Sequence, residues 1–79
     1  MTNREKYNQA FFEVFGVEES VLNADFSKEN VDAWDSVHQL NIIAILEEAF
    51  DIMLDPEDIM ELSSYAKGEA IMAKYDVEL

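Results

Sequence analysis

The side chains able to do covalent or proton chemistry are few. The chain has no cysteine and a single histidine, His38, two positions after Ser36. A nucleophile needs a base within hydrogen-bond reach and a third group to orient that base. On a helix, positions i and i+2 point in widely different directions, so His38 is a poor base for Ser36. The carboxylates raise the possibility of a calcium loop, whose sixth position must be Gly and whose last must be a bidentate Glu. Counting from Asp51, those positions are Pro56 and Leu62; counting from Asp25, they are Asn30 and Ser36. No dedicated metal site is expected, and no Gly-rich phosphate loop is present. The residue left with usable chemistry is the Ser36 hydroxyl, preceded by Trp34-Asp35.

Four helices are expected to position it. Thr2-Asn3-Arg4-Glu5 has the spacing of a capping box and predicts the start of a first helix. Tyr7, Ala10, Phe11, Val14 and Phe15 then form one apolar stripe, with Phe12 off it and Gly16 suited to a left-handed stop. From Gly16 to Asp35 no helical period holds, which predicts a connection of about 20 residues, long for a compact domain. Val17, Val21, Leu22, Phe26 and Val31 are the expected anchors, with one short helical turn at Glu18 to Leu22.

Ser36-Val37-His38-Gln39 again has a capping-box pattern, with Ser36 as the cap of a second helix. At about 100° per residue, Ile42, Ile45, Leu46, Ala49 and Met53 gather on a core face flanked by Ile43 and Phe50. Val37, Leu40, Asn41, Ala44, Glu47 and Glu48 gather on the other, a mixture of apolar and acidic groups that a docking surface would carry. Asp55-Pro56-Glu57-Asp58 reads as a cap, a first-position proline and two acids at the positive end of a third helix. Ile59 and Leu62 are expected inward there, and Met60 outward. Ser63-Ser64 predicts the cap of a fourth helix with Tyr65, Ala66, Ala70, Ile71 and Tyr75 inward. Gly68 inside it costs about 1 kcal/mol relative to Ala unless a tight contact requires it. The predicted class is all-α, a small four-helix bundle with a long loop between the first two helices.

With 79 residues, 49% of them hydrophobic, the chain has material for one core, and residues 1–79 are expected to form one domain. The opening residues lack the apolar stretch of a signal peptide, and no apolar run reaches the roughly 18 residues of a membrane span. A cytoplasmic monomer without membrane insertion is expected. Eighteen acidic residues against five basic ones give a formal charge of −13, and from Glu29 to Ala66 His38 is the only residue that can become cationic. Such a field repels nucleic acid and steers basic protein surfaces toward the chain.

Asp35-Ser36-Val37 resembles the Asp-Ser-Leu motif of acyl carrier proteins. The resemblance continues without a gap through Leu40, Ile42, Leu46-Glu47-Glu48-Ala49-Phe50, the stretch from Asp51 to Leu54, Ile59 and Ser63. It implies that Ser36 is the attachment point of a 4'-phosphopantetheine arm, which would give a chain without cysteine a thiol on which to carry an acyl group as a thioester. Asp35 would help a holo-acyl-carrier-protein synthase, or another phosphopantetheinyl transferase, to recognise the serine. Val37, Leu40, Asn41, Ala44, Glu47, Glu48 and Met60 would dock basic patches of acyl-loading, condensing or acyl-transferring enzymes. Ile42, Leu46, Phe50, Leu54, Ile59 and Leu62 would be positioned to shelter an acyl chain. The carrier itself would catalyse nothing.

Departures from the family pattern bear on the pathway. Trp34 stands where a small or aliphatic residue is usual, Val37 replaces Leu, and His38 and Asn41 stand where housekeeping fatty-acid carriers usually have acids. A specialised carrier, for polyketide-type or related assembly, is at least as well supported as a primary fatty-acid one. The Gly-Gly-x-Ser pattern of peptidyl carriers is absent, since Ala33 and Trp34 precede Asp35. The competing expectation from another class is an acidic helical interaction domain in which Ser36 is only a cap.

Overall fold

A computed structural model describes residues 2–79. Helix α1 spans Asn3–Phe15, α2 Ser36–Phe50, α3 Pro56–Glu61 and α4 Tyr65–Lys74, and the fold is all-α. The first helix starts as its sequence predicts. The Glu5 N–H donates to Thr2 Oγ1 at 3.1 Å and the Thr2 N–H to Glu5 Oε1 at 3.1 Å. It stops at Gly16, whose φ of 66° is open to glycine at no steric cost.

Tyr7, Phe11, Ile42, Leu46, Leu62 and Met72 are the largest fully buried side chains, so the core draws on α1, α2, α4 and the end of α3. Phe11 makes edge-on contacts with Tyr7, Phe26, Trp34 and Tyr65, an arrangement that ring quadrupoles favour. Gly68 supplies the tight contact that a mid-helix glycine demands. A β-carbon there would overlap the Tyr7 hydroxyl and lie 3.0 Å from Leu62 Cδ1. That hydroxyl donates to the Tyr65 carbonyl at 2.6 Å in the buried space between α1 and α4.

Residues 16–35 join α1 to α2 with one 3-10 turn at Glu19–Val21. The segment is fastened midway: the Lys28 N–H donates to the Ser63 carbonyl at 2.7 Å and the Tyr65 N–H to the Phe26 carbonyl at 2.9 Å. Ser27 and Ser64 thereby form a one-pair antiparallel bridge at the start of α4. Phe26 is buried, and Val17, Leu22 and Val31 are partly buried against the core. Val21 is exposed and does not anchor the loop, because the turn that carries it buries none of its residues.

Three further expectations are corrected. Met53 is 82% exposed and lies off the core, because α2 ends at Asp51, whose φ of 53° turns the chain left-handed before the apolar period reaches Met53. In α4 the buried stripe is Tyr65, Gly68, Ile71 and Met72, whereas Ala66 and Ala70 are exposed. The small Tyr7-facing glycine, not the alanines, marks the side pressed against α1. Asp58 does not merely complement a helix end. It is 2% exposed, accepting from Tyr75 Oη at 2.5 Å and from Lys74 Nζ at 2.9 Å, so a polar clamp ties α3 to α4.

Among the described residues, no helix is long and apolar enough to cross a membrane.

Candidate functional site

The site is built at the start of α2. Its N-cap is Asp35, not Ser36: the Asp35 carboxylate accepts the His38 N–H at 2.9 Å from an extended backbone (φ −102°, ψ −171°). Both residues are good capping types, but a carboxylate adds charge at the positive end of the helix dipole, where it is favoured. Ser36 is thereby shifted one position along, into the first helical turn, and is exposed. Its hydroxyl is not the group that closes the helix end.

His38 fixes the other side of Asp35. Its Nδ1 lies 2.8 Å from Asp35 Oδ1, and its ring stacks on Phe15 with centroids 5.5 Å apart and planes 21° from parallel. The Asp35 carboxyl is held below the usual carboxylate range, chiefly by the His38 backbone N–H and then by the His38 side chain. His38 is therefore half-buried against α1 and engaged with the cap, more enclosed than a simple surface residue.

Trp34, one residue before the cap, is 3% exposed. Its Nε1–H donates to Gln39 Oε1 at 2.6 Å, and Gln39 Nε2 donates to the Ile59 carbonyl at 2.8 Å. The approach to Ser36 is thus tied to α2 and, through it, to α3. Sequence reasoning identified Trp34 as a departure from a family pattern and paired Gln39 with Ser36 in a capping box; because Asp35 is the cap, the Gln39 side chain is free of that task and bonds Trp34 and Ile59 instead.

Outward from Ser36, Val37 is 64%, Leu40 65% and Met60 84% exposed, and Asn41, Ala44 and Glu48 are exposed with them. Glu47 differs. It is half-buried, and its Oε2 accepts the Leu54 N–H at 2.9 Å, so this carboxylate also secures the turn after α2. Of the residues expected to shelter an acyl chain, Ile42, Leu46, Leu54 and Leu62 are buried, while Phe50 and Ile59 are partly buried.

Among the described residues, no cluster of three or more His, Cys, Asp or Glu side chains could hold a metal ion. The Asp58 clamp escaped the sequence reading because its partners, Lys74 and Tyr75, lie a helix away and leave no local spacing to detect. Comparison with protein families, curated proteins and solved structures finds no match to the chain.

Proposed function

We propose that this chain is an acyl carrier protein whose Ser36 oxygen receives a 4'-phosphopantetheine arm from coenzyme A: the Ser36 Oγ–P bond forms as the pyrophosphate P–O bond breaks, adenosine 3',5'-bisphosphate leaves, and the hydroxyl proton passes to a base of the transferase. The observation that carries the reading is the division of labour at the head of α2. Asp35 closes the helix, which leaves Ser36 as an exposed alcohol uncommitted to the cap. The sequence register from Asp35 to Ser63 supports the same reading.

The residues present fit such a group. A phosphodiester at Ser36 would sit in the first turn of a 15-residue helix, where the dipole and unpaired backbone N–H groups favour an anion. Asp35 is the neighbouring charge that opposes it, and the His38 backbone N–H, which donates to that carboxylate, tempers the repulsion. When bound, the arm supplies the thiol that the sequence lacks and holds the acyl group as a thioester.

The chain's own residues present and address that arm. Val37, Leu40 and Met60 offer exposed apolar contacts, and Glu48, with Asp35, offers negative charge to a transferase or acyl-handling enzyme bearing a basic patch. The departures at Trp34, Val37, His38 and Asn41 leave a specialised carrier at least as well supported as a primary fatty-acid one.

The test is intact mass after incubation with coenzyme A and a phosphopantetheinyl transferase. One arm's mass should be added to the wild type and none to Ser36→Ala. An unchanged wild-type mass would favour an acidic interaction domain without a prosthetic group, and an equal gain on Ser36→Ala would move the attachment elsewhere.

A further inference from the structure

Two polar groups near the site would be stranded without Gln39. The Trp34 indole is buried, and a buried indole N–H needs an acceptor. The Ile59 carbonyl belongs to the last turn of a six-residue helix, where carbonyls lack partners within their own helix. Gln39, half-buried on α2, satisfies both: it accepts from Trp34 Nε1 at 2.6 Å and donates to the Ile59 carbonyl at 2.8 Å. A neutral amide carries the donor and the acceptor that this double task requires. A carboxylate would meet the Ile59 oxygen with a second acceptor, and an apolar chain of similar length would leave both groups unpaired.

Each end of this bridge adjoins, in sequence, a residue of the candidate site. Trp34 precedes the Asp35 cap and Ser36, and Ile59 precedes Met60, the most exposed large apolar side chain of α3. We infer that Gln39 is a positioning residue for transfer to Ser36. Its side-chain amide holds the Ser36 segment and α3 in one register, so that Ser36, Val37, Leu40 and Met60 meet an incoming transferase as a single surface. The inference rests on the carrier reading and assigns a recognition role to a residue that touches neither coenzyme A nor the reacting oxygen.

The experiment compares Gln39→Met, Gln39→Glu and Trp34→Phe with the wild type in steady-state transfer from coenzyme A. A residue that aligns a recognition surface acts on binding. Gln39→Met should therefore raise KM for the carrier about tenfold while kcat stays within about twofold. Trp34→Phe, which removes the donor and keeps an aromatic ring, should raise KM in the same direction by less. Trp34 is the chain's one tryptophan, so its emission reports the bridge directly and should shift in both Gln39 variants.

Gln39→Glu separates hydrogen bonding from packing. At neutral pH it should resemble Gln39→Met. As pH falls through the usual glutamate pKa of about 4.3, a protonated carboxyl regains both a donor and an acceptor, so the ratio of its KM to that of the wild type should fall while the Gln39→Met ratio stays constant. Wild-type transfer with unchanged KM in both Gln39 variants would overturn the positioning role alone. Raised KM without acid recovery in Gln39→Glu would assign the effect to packing and overturn the bridge. Failure of the wild type to accept the arm would overturn the carrier reading and this role with it.

Discussion

The Tyr7 hydroxyl fills the space that a β-carbon on Gly68 would need, and from there it donates to the Tyr65 carbonyl at 2.6 Å. A glycine that weakens α4 locally thus permits a buried hydrogen bond between α1 and α4. The hydroxyl cannot yield easily, because the ring that carries it is fully buried and packed against Phe11 and Tyr65.

Gly68→Ala should therefore destabilise the fold by about 1–3 kcal/mol, even though alanine is the better helix former by about 1 kcal/mol. Removing the hydroxyl in Tyr7→Phe/Gly68→Ala should recover part of the loss. Urea denaturation of the two single variants and the double variant measures the coupling, and additive effects would contradict the contact.

The cap assignment predicts an asymmetry between neighbours. Ser36→Ala should leave stability within about 0.5 kcal/mol of the wild type, as for an exposed residue outside a network. Asp35→Ala should lower the melting temperature clearly. The Asp35 carboxyl is held below its ordinary value, so its contribution is complete above the usual carboxylate pKa of about 4 and is lost as pH falls through the lower folded value. Thermal melts should show the gap between Asp35→Ala and the wild type closing in acid. A larger loss for Ser36→Ala than for Asp35→Ala would restore the serine as the cap.

Glu47 and Glu48 are adjacent in sequence but should separate in experiment. Glu48→Lys should slow transfer of the arm at low salt, an effect that added salt diminishes, with stability within about 0.5 kcal/mol of the wild type. Glu47→Lys should in addition cost about 1–3 kcal/mol, since it strands the Leu54 N–H. Parallel transfer rates and denaturation curves distinguish them. Equal stability losses would show that the Glu47 bond contributes nothing.

The Asp58 clamp should give stability a limb on each side of neutrality. Asp58 is held below the usual carboxylate range, first by the Tyr75 hydroxyl and then by Lys74, so its contribution fades as pH falls through the depressed value. Tyr75 and Lys74 are held above their ordinary values, mainly by hydrogen bonds to Asp58. Their contribution is complete below about 10 and fades as pH rises through the raised values. The melting-temperature gap between the wild type and Tyr75→Phe should be widest near neutrality and narrow at both extremes. A gap independent of pH would sink the clamp as a source of stability.

What the sequence revealed was local. The capping box of Thr2 and Glu5, the stop at Gly16 and the Ser64 cap of α4 each lie within four residues, and each formed as expected. Competition between adjacent candidates was not legible. Asp35 and Ser36 can both cap a helix, and the choice is made by which side chain reaches the His38 N–H. The end of α2 was missed because an aspartate rather than a glycine takes the left-handed position at 51, so the apolar pattern ran on to Met53. Contacts between distant segments left no trace in spacing: Asp58 with Lys74 and Tyr75, and Gln39 with Ile59.

The bridge between Ser27 and Ser64 changes the long connection as a polymer. It divides one loop into two arms with different tolerances. The arm from Val17 to Asp25 closes between α1 and a fixed point, and since closure entropy grows only logarithmically, doubling its length should cost about 0.6 kcal/mol. The arm from Lys28 to Ala33 runs from that fixed point directly into Trp34 and the cap of α2. Insertions should therefore accumulate harmlessly in the first arm, while one residue added to the second displaces the serine it delivers.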